Sequence, residues 1–168
     1  MSRESVLAMR QNKDAFFKSS PQSPLMDEQK VDFEGLVYYD YNPALDLVVD
    51  VTLFEDEGHV QVFTTKDTIR NYRRYGEFKF MMDGEEIRLT IYETPHGFFL
   101  PFVDSAKETY PAGRYIDPEQ LDDGRFHVDF NVAYNPYCAY SDRWECPITP
   151  AENRLKIPIP AGEKVGKP

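Results

Sequence analysis

The chain changes its hydrophobic period once, near Phe33. Before that point, across Glu4 to Lys18, Val6, Met9 and Phe16 recur near one helical face while Arg10, Gln11, Lys13 and Asp14 supply a polar one. This spacing predicts an amphipathic helix lying across a sheet or plugging the end of a barrel. Ser20-Pro21 and Ser23-Pro24 close it, because a residue before proline avoids helical backbone.

From Phe33 onward the period is two. Gly35 to Tyr39 reads as a short strand and Asn42-Pro43 as a turn. Leu45, Leu47, Val49, Val51 and Leu53 then form the apolar face of one long strand. A charged turn at Glu55 to Gly58 leads into Val60 to Thr64, and Lys66-Asp67 turns the chain into Ile69 to Tyr75. Phe78, Phe80 and Met82 alternate before Asp83-Gly84, and Ile87, Leu89 and Ile91 alternate after it, the strongest hairpin signal in the chain. Phe98 to Phe102 is a continuous apolar run, expected to be buried on both faces. Asp104 to Gly113 is a polar excursion too long for a hairpin, and long loops in compact domains are enriched in function. Extended structure resumes at Gly113 to Tyr115, followed by a charged loop at Pro118 to Gly124 and alternation at Phe126, Val128 and Phe130. Leu155, Ile157 and Ile159, with prolines between them, read as a last, edge strand.

The expected fold class is therefore mainly β. It is a single-domain antiparallel meander, closed or partly open as a β-barrel or alternatively folded as a β-sandwich, with one N-terminal amphipathic helix. Residues 1–24 form the helix and its proline-rich connection, and 25–168 the β-domain with a C-terminal Asn/Pro/Cys loop.

Composition narrows the partners. A length of 168 residues suits one sizeable core. A net charge of -10 disfavours nucleic-acid backbones and anionic membranes. It fits either a salt-adapted host or an ordinary acidic protein. No apolar run is long enough to span a bilayer, and the start of the chain lacks a signal peptide's apolar core, so the cytoplasm is the expected location. Oligomeric state is left open.

Candidate chemistry concentrates between Asp129 and Arg154, which holds both cysteines and the only tryptophan, Trp144. Strand alternation puts His127, Asp129 and Asn131 on one face. That face is either solvated or lines a cavity closed by Tyr134, Asn135 and Arg114, in which case Asp129 pairs with Arg114 or Arg154. Cys138 and Cys146 are read first as buried free thiols, then as a disulfide, then as metal or nucleophile residues. Paired zinc-ligand motifs are absent, and no secretion signal favours oxidation. No two histidines have ligand spacing, and no Ser-His-Asp triad, phosphate loop or nucleophile elbow stands in the sequence. No metal or cofactor is assigned, and no catalytic residue.

Several motifs occur in one order: Lys13-Asp14, Ser-Pro-Leu at Ser23, Phe-x-Gly-Leu at Phe33 and Leu-Pro-Phe-x-Asp at Leu100. They continue with Glu-Thr-Tyr at Glu108, Gly-Arg-Tyr at Gly113, Asp-Phe-Asn-x-Ala-Tyr-Asn-Pro-x-Cys-Ala at Asp129, Cys-Pro-x-x-Pro-x-x-Asn-Arg-Leu at Cys146 and Ala-Gly-Glu-Lys at Ala161. Together they resemble the domain-of-unknown-function family sixteen eighty-four over nearly the whole chain. The loop after Asp104 departs from the family pattern by lacking a glycine. The resemblance implies no activity but carries over a residue set: Asp104, Glu108, Tyr110, Arg114, Asp129, Asn131, Tyr134, Asn135, Asn153 and Arg154, together with Cys138, Cys146 and Glu163. The leading expectation is a module that binds a small anionic or polar ligand, with Arg114 and Arg154 on the anion and Asn131 and Asn135 orienting it. The alternatives are a scaffold whose Asn/Pro/Cys loop only seals the barrel, and a hydrolase-like enzyme using Asp129 or Glu108 with Cys138 as nucleophile.

Overall fold

The computed structural model describes residues 1–55 and 58–165, so the turn expected at Glu55 to Gly58 lies partly outside the described residues. Two helices, α1 (Arg3–Ser19) and α2 (Asp27–Asp32), precede the strands. These are β1 (Val37–Tyr38), β2 (Asp46–Val49), β3 (Thr52–Leu53), β4 (His59–Phe63), β5 (Ile69–Met82), β6 (Glu85–Thr94), β7 (Gly97–Phe102), β8 (Arg114–Ile116), β9 (Glu119–Gln120), β10 (Phe126–Asp129) and β11 (Glu163–Lys164).

The Asp83-Gly84 turn joins β5 to β6 with positive φ at both residues (50° and 80°), the geometry a two-residue hairpin turn demands. That hairpin is the centre of the main sheet, ordered β3-β5-β6-β7-β8, with β4 also paired to β5. A second sheet runs β2-β10-β9, and β1 pairs with β11. Among the described residues every pair of these strands is antiparallel, and no sheet closes on itself. Phe78, Leu89, Ile91, Leu100, Phe102 and Ile116 of the main sheet pack against Val49, Phe126 and Val128 of the second, and against Phe130 in the turn after it, to make the core.

A register shift between Arg74 and Gly76 interrupts the β5–β6 ladder. One extra residue reverses which side chains point inward, because the period of a strand is two. Tyr72, before the bulge, therefore joins Val62 and Tyr92 in a separate cluster, while Phe78, after it, enters the core. Gly76 is needed there: a Cβ would stand 2.5 Å from Val51 Cγ1 and 2.7 Å from the Thr52 carbonyl.

Three expectations are corrected. The single long strand from Leu45 to Leu53 splits into β2 and β3, which belong to different sheets. The chain turns a corner between them and leaves Leu53 exposed. Leu155 to Ile159 is not a strand: Pro158 and Pro160 remove ladder donors, so the segment crosses irregularly, burying Ile159 in the core, and the last strand is β11. The buried stripe of α1 is Val6, Arg10 and Phe17, with Phe16 exposed. The helix rests on a polar seam, which its own polar side chains satisfy. Arg10 donates to the Tyr39 carbonyl (2.9 Å) and stacks on Tyr38, Asp14 accepts from Leu36 N–H (2.9 Å), and Lys13 pairs with Glu163 (2.6 Å).

Candidate functional site

Three aromatic rings on the outer face of the main sheet, continued by Tyr134 on the segment bridged to Tyr115, form a row. Tyr72 meets Phe99 at 5.8 Å, Phe99 meets Tyr115 at 4.8 Å, and Tyr115 meets Tyr134 at 5.8 Å, each pair edge to face. Opposite them stand Tyr137 and Trp144, themselves edge to face at 5.1 Å. Between the two walls lies a cleft of about 630 Å³. Strand alternation accounts for the first wall, because Phe99 and Tyr115 sit one step out of phase with the core residues Leu100 and Ile116.

The second wall belongs to the Asn/Pro/Cys loop. Cys138 and Cys146 are joined as a disulfide, which corrects the expectation of buried free thiols. The 3-10 turn Tyr137–Ala139 and the reversal after it bring their Cα atoms to 6.4 Å, within disulfide reach. An oxidised pair offers no thiolate, so the reading of Cys138 as nucleophile loses its nucleophile. The loop is also held from outside. Ile148 N–H donates to the Phe63 carbonyl (2.7 Å), Thr65 N–H to the Cys146 carbonyl (3.0 Å) and Trp144 Nε1 to the Pro24 carbonyl (3.2 Å). The Tyr115 hydroxyl donates to the Pro147 carbonyl, tying one wall to the other.

Few charges reach the cleft. Lys13 is paired with the buried Glu163 and lies 5.2 Å from the Tyr134 ring centroid. Arg70 sits 3.6 Å from Glu145. Asp117 accepts the Tyr134 hydroxyl at 2.9 Å. Burial first, and then the charge of Asp117, push the Tyr134 hydroxyl far above its ordinary range. Burial does the same for Tyr115, so both phenols stay neutral.

Of the polar set drawn from the sequence, Tyr134 alone lines this cleft. Asp104 accepts from Thr109 Oγ1 (2.6 Å), Ile159 N–H (2.7 Å) and Arg114 (3.4 Å). Arg114 is fully buried and also donates to the carbonyls of Ile159, Ala161 and Glu163. Nearby, Glu108 accepts from the Tyr39 hydroxyl (2.8 Å), and that hydrogen bond holds its carboxyl below the usual range. Tyr110 is half-buried at the end of the same loop. Asp129 caps a turn through Asn131 N–H (2.9 Å), and Asn131 exchanges hydrogen bonds with the Asn42 backbone. Asn135 donates from its backbone to Glu163 and from its side chain to Tyr140 and the Lys164 carbonyl. Asn153 accepts Thr90 N–H (2.9 Å) and donates to the carbonyls of Thr90 and Pro101 (both 2.8 Å). Arg154 folds back on the Thr149 carbonyl. The expected pairing of Asp129 with Arg114 or Arg154 is thus replaced by Arg114 with Asp104, and by Asp129 with the Met1 ammonium (3.0 Å). Asp46, His127 and Asp129 also hold ligand atoms within 4.8 Å of one another, around that same ammonium.

Beside Asn153, Glu152 fastens the loop to the sheet. Burial opposes its ionisation, but hydrogen bonds from Arg74 and Tyr92 and the Arg74 charge outweigh burial and lower its pKa. A carboxylate depressed in the folded state adds stability above its unfolded pKa and loses it as pH falls through the folded value. Stability should therefore begin to fall as pH drops through the ordinary glutamate value of 4.5. Glu152→Gln should be less stable at neutral pH and lose less on acidification, measured by urea titrations at a series of pH values. Identical pH profiles for the two proteins would contradict this.

Sequence reasoning passed over Lys13, Tyr72, Phe99, Tyr115 and Tyr137 because each looks like an ordinary helix, strand or loop residue. Tyr134 and the lone tryptophan were the sequence signals pointing toward this cleft.

These features define a mainly antiparallel β-protein with an N-terminal helix and an aromatic cleft outside its core. The chain belongs to the family described as protein of unknown function DUF1684, whose model matches residues 31–164. It is similar to an uncharacterised protein of Haloarcula marismortui whose structure was solved in solution by NMR. The two are 34% identical, with a TM-score of 0.70 over 96% of this chain and 93% of that one. No curated protein matches. Among the described residues, no helix is long and apolar enough to cross a membrane.

Proposed function

We propose that this protein is a small-molecule-binding module whose site is the aromatic cleft between β5, β7, β8 and the disulfide loop. The observation that carries the reading is the pairing of two aromatic walls across about 630 Å³, a volume that suits one small ligand. Phe99, Tyr134, Tyr137 and Trp144 are only half-buried and leave apolar surface that a ligand would cover. Tyr134 belongs to the cleft. The other polar residues of the sequence-derived set, bonded to backbone and to each other, support the walls, which favours a scaffold role for them.

Trp144 is the only tryptophan and lines the cleft, so its emission reports occupancy directly. Aromatic fragments of neutral, cationic and anionic type should give saturable changes in Trp144 emission, weakened in Tyr137→Ala, with NMR shifts confined to the lining residues. If no fragment of any charge gives a saturable response there, the reading fails.

A further inference from the structure

We propose that the cleft selects a small organic cation of the alkylammonium class; this rests on the cleft being the binding site. Seven aromatic side chains, Tyr72, Phe98, Phe99, Tyr115, Tyr134, Tyr137 and Trp144, line one space, and the face of an aromatic ring carries the negative lobe of its quadrupole. Two of them already carry a cation: Lys13 Nζ lies over Tyr134 at 5.2 Å, and the Arg143 guanidinium lies over Trp144 at 4.7 Å. The phenols of Tyr115 and Tyr134 stay neutral, so neither adds a phenolate charge to the cleft.

Charge complementarity points the same way. Lys13 is matched by Glu163 at 2.6 Å and Arg70 by Glu145 at 3.6 Å. Among the described residues Asp117 has no ion pair, and it stands exposed on the lining with only the Tyr134 hydroxyl bonded to it. Of the two cations and two carboxylates on the lining, Asp117 is thus the one left without an ion pair, while Arg143 beside Trp144 donates to the carbonyls of Ser23 and Pro24. An anion would have to face Asp117 and Glu145, or draw Lys13 away from a carboxylate that is 1% exposed and costly to leave unpaired. A permanently charged alkylammonium group has no N–H to satisfy, so an aromatic enclosure with a carboxylate at its edge meets all its needs. The anionic ligand expected from Arg114 and Arg154 finds neither arginine here, since both donate to main-chain carbonyls elsewhere.

The test uses three probes of one shape: choline, its uncharged carbon isostere tert-butylethanol, and the anion of tert-butylacetic acid. Each is titrated into the oxidised protein by calorimetry and Trp144 emission. Choline should bind roughly tenfold more tightly than the isostere. Asp117→Asn should weaken choline about threefold relative to the isostere. Equal binding of choline and the isostere, tighter binding of the anion, or failure of all three while other fragments occupy the cleft would each overturn the cation assignment and leave the binding site standing. Failure of every fragment and all three probes would remove the binding site as well.

Discussion

Replacing Arg114 with alanine is expected to cost about 3–5 kcal/mol of folding stability, the largest effect expected of any single substitution in this chain. The side chain is fully buried, lies over the Phe102 ring at 5.0 Å and donates to Asp104 and to three carbonyls of the Ile159 to Glu163 segment. Its removal leaves a carboxylate whose side chain is 2% exposed without its charge partner and strands those carbonyls away from water. Arg114→Lys should rescue little, because one ammonium cannot reproduce the fork that reaches several acceptors at once. Equilibrium urea unfolding measures the effect. A loss below about 1 kcal/mol for the alanine variant would mean that the segment is held by its apolar contacts, chiefly Ile159 and Ala161, rather than by the guanidinium.

Opening the Cys138–Cys146 disulfide should have the second largest effect, and it couples stability to binding. Cross-linking residues 8 apart removes chain entropy from the unfolded state worth about 2–3 kcal/mol. For a chain of this size that corresponds to a fall in Tm of roughly 5–10 °C. The same bond holds the loop that carries Tyr137 and Trp144, so the cleft should loosen at the same time. Cys138→Ser with Cys146→Ser, and the native protein treated with a phosphine reductant, should agree in both readouts: a lower Tm and weaker fragment binding by Trp144 emission. Unchanged melting and binding after confirmed reduction would show that the hydrogen bonds from Ile148 and Thr65 and to Pro24 hold the wall without the bond.

The two regions meet at Glu163. Its carbonyl receives Arg114, and its carboxylate receives Lys13 and Asn135, so one residue of β11 joins the buried polar seam to the cleft's charged floor. This explains why residues that looked like a ligand set in the sequence occur together bonded largely to backbone and to one another. A buried carboxylate needs partners on every side, and those partners are drawn from distant parts of the chain.

Local signals determined much of this protein. The Asp83-Gly84 hairpin, the alternation around Phe78 and Ile87, the apolar run into Phe102 and the helix ended by serine-proline pairs are all decided within a few residues, by turn geometry and side-chain period. The family could be read from ordered motifs for the same reason, since each motif is a short local pattern. What the tertiary structure alone decided depends on partners far apart in sequence. The bulge at Arg74/Gly76 moved Tyr72 to the outer face, a corner after Val49 sent one apolar run into two sheets, and a polar seam turned Arg10 inward. Burial made Arg114, Asn131 and Asn153 into structural clamps, although their types and their loop setting equally suit ligand contacts. Proximity put the cysteines within disulfide reach, and three strands and a loop set seven aromatic residues around one cleft. A sequence period specifies which side of an element a residue takes; only packing specifies what stands opposite.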